Sequence, residues 1–197
     1  MLASDRRYSL AAVSLHWLIA ALILFQIGFA WWYYGPLPDH TAAQTQALGV
    51  HTSIGLTILA LSLARLALRL AVPPAALPLA MPRWERVLAR ISHGLFYVLI
   101  IGIPLTGWAL ASTAPAPIRF WGLIDWPHMP GLGGLTKAAR HQVSRPLGLV
   151  HAKILVLSTV ALLALHVAGA LKNQLSGSPV LWRMLPFLRP PAASKGA

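Results

Sequence analysis

Four long apolar runs organise the chain, over residues 10–34, 47–71, 87–111 and 147–171. Each is about 25 residues long, and about 20 suffice for a helix to cross a roughly 30 Å hydrocarbon core. The pattern predicts an all-α protein, a bundle of four transmembrane helices in a single membrane domain covering residues 1–197. A basic start before an apolar stretch also describes a signal peptide. The first run is too long for that, and no small-residue cleavage site precedes its aromatic end. It is expected to remain as a helix.

The polar and helix-breaking positions mark the connections. Trp31, Trp32, Tyr33 and Tyr34 close the first run as an interfacial aromatic belt, and Gly35, Pro36 and Pro38 break the helix after it. The second run ends on Arg65 and Arg69, which are four residues apart and on one face, able to extend their head groups to the interface. Pro73, Pro74, Pro78 and Pro82 make residues 72–86 a surface connection. Pro104 and Gly107 predict a kink in the third run. Residues 112–146 form the one long loop, a length that in compact domains is usually functional or disordered. Its Trp121 and Trp126 favour packing on the membrane face, and residues 135–145 would make a short basic interfacial helix. A basic tail, 172–197, follows the fourth run.

Composition narrows the function classes. The chain is 57% hydrophobic and 10% charged, with a mean hydropathy of +0.65, outside the soluble globular range. The net charge of +12 reads as a topology signal. It is a poor argument for nucleic acid, because apolar runs occupy the surface such a partner would use. Cysteine is absent, which excludes disulfides, Cys-ligated iron–sulfur clusters and C-x-x-C-H haem attachment. The carboxylates are Asp5, Asp39, Glu85 and Asp125, all outside the apolar runs. A proton pump or cation transporter normally buries an acid in its pathway, so a haem-free transporter or scaffold is disfavoured.

Positive charge orients the bundle. One side carries Arg6, Arg7, Arg65, Arg69, Arg83, Arg86, Arg90, Lys172, Arg183, Arg189 and Lys195; the other carries Arg119, Lys137, Arg140, Arg145 and Lys153. Both termini are expected to be cytoplasmic.

The histidines supply the chemistry. His151 and His166 share the fourth run and are fifteen residues apart. On an ideal helix that is roughly 22 Å along the axis and only about 60° around it, so both rings point to nearly the same side. With four spans, His16, His93 and His166 fall in the inner leaflet and His51 and His151 in the outer. His40, His128 and His141 fall in outer loops and read as solvated. A single intramembrane histidine is often an interhelical hydrogen-bonding group. Five at two matched depths fit instead two pairs of axial ligands for two non-covalent haems b, held in a bundle core. Zinc or copper is poorly served by two histidines per level without thiolate or carboxylate. Gly55 and Gly148 would leave room for ring edges.

The motifs carry a resemblance. Arg7-Tyr8-Ser9 is followed by Leu15-His16-Trp17-Leu18, His51-x-Ser53-x-Gly55, and Arg65-Leu66-x-x-Arg69-Leu70 leading to Pro73-Pro74. Met81-Pro82-x-Trp84, His93-x-x-x-Tyr97, Pro104-Leu105-Thr106-Gly107-Trp108, His151 and Leu165-His166 come next. In this order, over nearly the whole chain, they resemble the bacterial-type cytochrome b561 proteins. Lys172 stands at a position usually basic in that family.

The resemblance implies a multi-pass protein of the bacterial inner membrane that holds two haems b and exchanges electrons with ubiquinone. Some members are superoxide oxidases, passing electrons from periplasmic superoxide to quinone. By position, His16 and His166 would be the axial pair of the inner haem iron, and His51 and His151 that of the outer. His93 would stand beside the inner pair or towards quinone; exchanging the roles of His16 and His93 is the alternative. The expected function is transmembrane electron transfer from a periplasmic one-electron donor, with superoxide as the candidate, to ubiquinone. Lys137, Arg140, His141, Arg145 and Lys153 would form a basic rim that attracts the donor. The second expectation is an electron-carrying subunit that docks to a separate dehydrogenase or hydrogenase. Lipid is the expected surroundings and nucleic acid is not a partner.

Overall fold

The structure is a computed structural model that describes residues 7–38, 41–73, 76–78, 81–176, 180–185 and 187–188. Arg6, His40, Pro74, Arg189 and Lys195, used above as topology, loop or breaker residues, lie outside the described residues.

Four helices are long and apolar enough to cross a membrane: α1 (Leu10–Tyr34), α2 (Ala42–Ala71), α3 (Arg83–Ser112) and the continuous stretch Lys137–Leu175. The last comprises α4 (Lys137–Leu149), a π-helical segment (Val150–Leu155) and α5 (Val156–Leu175). The chain is thus a four-span helical membrane protein. Leu24 (58% exposed), Phe25 (52%), Leu157 (63%) and Leu165 (69%) show why water is the wrong solvent for it. Such side chains along every span belong against lipid, where the helix already satisfies its own backbone.

Caps, and not hydropathy, set the helix starts. Ser9 Oγ accepts from the Ala12 N–H at 3.2 Å and opens α1. Thr41 Oγ1 accepts from the Gln44 N–H at 3.2 Å, so α2 starts five residues before its apolar run, taking in the polar Gln44 and Gln46. Pro82 precedes α3, which therefore begins four residues early with Arg83. Thr136 Oγ1 accepts from Ala139 N–H at 3.3 Å, and the helix it opens runs without a break into the fourth span. That span begins ten residues before position 147, because the polar turns 137–146 carry no hydropathy signal.

The close helix pairs are sequential: α1 with α2, α2 with α3, and α3 with the fourth span. Between α3 and α4 the chain makes a small antiparallel hairpin, β1 (Ile118–Phe120) and β2 (Ile124–Trp126), with Phe120 opposite Ile124. Trp121 (φ 53°) and Gly122 (φ 72°) turn it, both in the left-handed region that a tight hairpin turn requires. The hairpin is pinned to α2, because Ser53 Oγ accepts the Trp121 N–H at 2.8 Å while donating to the Gly49 carbonyl at 2.9 Å. It is also held to α3, through Trp108 Nε1 donating to the Pro127 carbonyl (2.9 Å) and Met129 N–H donating to Ser112 Oγ (2.8 Å). His128, expected to be solvated, is half-buried with Nδ1 3.2 Å from the Ser112 carbonyl; the hairpin folds it back onto the end of α3. His141 is exposed as expected.

At the opposite end the two described chain ends meet. Arg7 Nη2 donates to the Leu188 carbonyl (2.6 Å) and Trp17 Nε1 to the Met184 carbonyl (2.7 Å). Arg183, 5% exposed, donates to the Ala76 carbonyl at 2.8 Å. Residues 180–185 and 187–188 thus tie α1 to the connection between α2 and α3.

Candidate cofactor site: two tiers of histidines

Apolar helices hold their polar side chains where neighbouring helices offer partners, since lipid offers none. In this chain the helices bring the histidines together in two tiers. His51 of α2 and His151 of the π segment have ring centroids 6.1 Å apart. His166 of α5 lies 6.4 Å from His16 of α1 and 5.8 Å from His93 of α3. All five residues expected to face a cofactor therefore gather as the depth argument required, with His166 shared between His16 and His93. The π turn between His151 and His166 alters the ideal angular relation; the two rings address different neighbours, α2 at one tier and α1 with α3 at the other.

These spacings suit a metal held between paired imidazoles. Two rings ligating one ion from opposite sides at about 2.0–2.1 Å through a nitrogen have centroids about 6 Å apart. Distance alone admits either His16 or His93 as the partner of His166. Among the described residues no group of three or more His, Cys, Asp or Glu can hold a bare metal ion. A cofactor bringing its own equatorial ligands suits the donor set. The paired rings also join helices that are not the close sequential neighbours, α2 or α1 with the fourth span.

The surroundings of His151 are the most specific. Its Nδ1 lies 2.9 Å from the Ile103 carbonyl and 3.2 Å from Thr106 Oγ1. A carbonyl can only accept, so Nδ1 carries the proton and Nε2 keeps its lone pair, the arrangement found for metal-ligating histidines. Thr106 Oγ1 donates to the Gly102 and Ile103 carbonyls at 3.0 and 2.8 Å, which leaves it able to accept. Gly107 lies directly under the ring: a β-carbon there would come within 2.8 Å of His151 Cε1. Across the tier, His51 Nδ1 is buried and has no hydrogen-bond partner within the described chain, an orphan of the kind that a ligand resolves. Gln26 Nε2 donates to the His51 carbonyl at 2.6 Å, and Tyr33 presents its ring edge-on at 5.5 Å.

Several sequence expectations change here. Tyr33 is 2% exposed and packs on His51, while Trp31, Trp32 and Tyr34 remain exposed as an aromatic belt. The turn of the helix places one of four consecutive aromatics inward. Arg65 Nη1 donates to the Ala12 carbonyl in the first turn of α1 at 2.8 Å, one turn before His16. Arg69 lies over the Tyr97 ring at 5.6 Å. Gly55 faces the Gln26 amide, 3.7 Å from the position a β-carbon would take, whereas Gly148 has nothing within 4 Å. Phe96 packs edge-on to His166 at 5.2 Å and Trp17 to His16 at 5.2 Å. Lys172 forms an ion pair with Glu85, 2.5 Å from Nζ to Oε1.

Gln26, Tyr33 and Ile103 carry no motif signal, and only an intramembrane amide at 26 could have drawn attention. Gly107 was visible as part of a kink signal with Pro104, and Thr106 only within the Pro104–Trp108 motif. Their role depends on what lies across from them.

Comparison with known proteins gives two findings. A family model described as prokaryotic cytochrome b561 matches residues 7–187. The chain is also similar to cytochrome b561 homolog 2 of Escherichia coli (strain K12), with 27% identity over 125 residues. That alignment takes in 63% of this chain and 65% of the relative, so the chain spans just under two-thirds of that curated relative's length.

Proposed function

The chain belongs to the prokaryotic cytochrome b561 family, and from that premise we propose that it transfers electrons across the bacterial inner membrane through two haems b, from superoxide on the outer side to ubiquinone. Haem b, when bound, supplies a reversible one-electron couple whose potential follows its axial ligands and surroundings.

The residues of the chain would divide the work. His51 and His151 would hold one group, His16 and His166 the other, with His93 beside the second pair. The Ile103 carbonyl and Thr106 orient His151 and keep its proton on Nδ1. Tyr33 and Phe96 wall the two tiers with aromatic surface and exclude water. Arg65 ties α2 to α1 just before His16, which fixes that ring against the fourth span. Outside the membrane, Lys137, Arg140, Arg145 and Lys153 would gather positive charge along α4 and the π segment, with His141 among them. Such a rim would concentrate a small anion. Arg119 is spent locally, paired with Asp125 at 3.0 Å. In this reading both termini are cytoplasmic, because that end carries the larger share of Lys and Arg, and residues 1–197 act as one membrane domain.

The observation that carries the proposal is the pairing of imidazoles about 6 Å apart at both tiers. Purified protein in detergent is expected to show haem-b absorption bands that sharpen on reduction, with two haems per chain by pyridine haemochrome assay; a colourless preparation would refute it. Stopped-flow mixing with superoxide is expected to reduce the protein faster than spontaneous dismutation, with ubiquinone consuming the electrons. A rate no faster than dismutation would leave the electron-carrying subunit, docked to a dehydrogenase or hydrogenase, as the function.

A further inference from the structure

We propose that Arg83, Arg86 and Arg90, at the start of α3, form a binding site for the phosphate headgroup of an anionic phospholipid. The three arginines and Val87 are the lining of an open-sided cavity of about 360 Å³. Their spacing of three and four residues places them on one face of the first two helical turns. Neither ion pair of the described residues involves them. Glu85, the acid in the same turn, is already taken by Lys172. Among the described residues, three arginines thus line one cavity and no carboxylate pairs with them. Pro82 at the helix start gives no side-chain cap, so the first N–H groups of α3 add to the positive field.

The surface below the cavity decides between lipid and a soluble anion. Val87, Ile91 and Val98 continue on the same side of the helix, 51%, 54% and 65% exposed. These residues lie exposed on an apolar helix long enough to cross a membrane, where lipid is the fitting neighbour, and Gly94 between them leaves the surface open, with nothing within 4 Å of a β-carbon there. A charged recess at the end of a membrane helix, directly above an apolar strip, matches a headgroup and its acyl chains in one molecule. Soluble phosphate would use the arginines and leave the strip unused. Basic pockets at the membrane surface select anionic headgroups in this way. The site lies outside the histidine tiers and does not depend on them.

The test uses full-length protein in neutral detergent, with phosphatidylglycerol, phosphatidylcholine or inorganic phosphate added, reading retained lipid by native mass spectrometry and the thermal midpoint in parallel. Phosphatidylglycerol is expected to stay bound and raise the midpoint, whereas phosphatidylcholine and phosphate do neither. Each arginine near such a headgroup contributes a factor of roughly five, so Arg83→Gln/Arg86→Gln/Arg90→Gln is expected to lower affinity on the order of 100-fold. Arg119→Gln, at the far end, leaves it unchanged. On the unaltered protein, 1 M salt is expected to release most of the bound phosphatidylglycerol, a readout that does not require the triple variant to fold. Equal retention of phosphatidylcholine, full effect from inorganic phosphate, salt-insensitive binding, or an unimpaired triple variant would each overturn the proposal.

Discussion

A β-carbon on Gly107 of α3 would lie 2.8 Å from Cε1 of His151 on the fourth span, 3.3 Å from Nδ1 and 3.5 Å from Nε2. The imidazole therefore rests directly on bare backbone, and the Ile103 carbonyl one turn away holds Nδ1 at 2.9 Å. Any side chain at 107 pushes the ring off that carbonyl.

Gly107→Ala is expected to displace His151. Overpacking of this kind costs about 1–3 kcal/mol, and the haem content of the purified protein should fall from two per chain towards one. Retention of two haems with an unchanged spectrum would show that the ring has room to move without consequence.

Thr106→Val keeps the shape and removes one of the two partners of His151 Nδ1. Loss of an outer partner to a metal-binding histidine lowers affinity about 10–100-fold. The variant should lose haem faster to apomyoglobin, while remaining better loaded than His151→Ala.

The inner tier separates by substitution. His16→Ala is expected to abolish the inner haem, whereas His93→Ala keeps both haems and alters their spectrum or potential. The reverse result would assign the ligand role to His93, which lies 5.8 Å from His166 against 6.4 Å for His16.

Ser53→Ala leaves the part-buried Trp121 N–H without its acceptor. An unsatisfied group of this kind costs about 1–3 kcal/mol, enough to speed amide exchange across residues 118–126 by roughly tenfold or more. Haem content is expected to stay unchanged, since the serine touches no histidine ring.

Lys172→Ala removes the partner of Glu85, whose side chain is 10% exposed. An unpaired carboxylate there costs about 1–3 kcal/mol, seen as a lower thermal midpoint. Lys172→Ala/Glu85→Gln should recover most of that loss; equal midpoints for the two variants would show that the pair contributes nothing.

The spans were legible because hydropathy acts over whole helices: in lipid no other backbone arrangement satisfies residues 10–34, and α1 covers those residues. The depths of His16, His51, His93, His151 and His166 followed from the same count. The helix starts at Ala42 and Arg83 did not, because a single capping hydroxyl or proline decides them; the basic helix from Lys137 was expected over 135–145, but not its unbroken run into the fourth span.

The sequence by itself therefore determined the number of membrane crossings and the level at which each imidazole sits, since both depend only on distance along the chain. Which rings meet is a property of helix rotation and packing, which no local pattern encodes. Only the tertiary structure turned Tyr33 inward and Arg65 onto Ala12, and set Gly107 beneath His151. Each of those contacts joins residues on different helices, and the physical cause is the close approach of two surfaces that the chain meets only once it is folded.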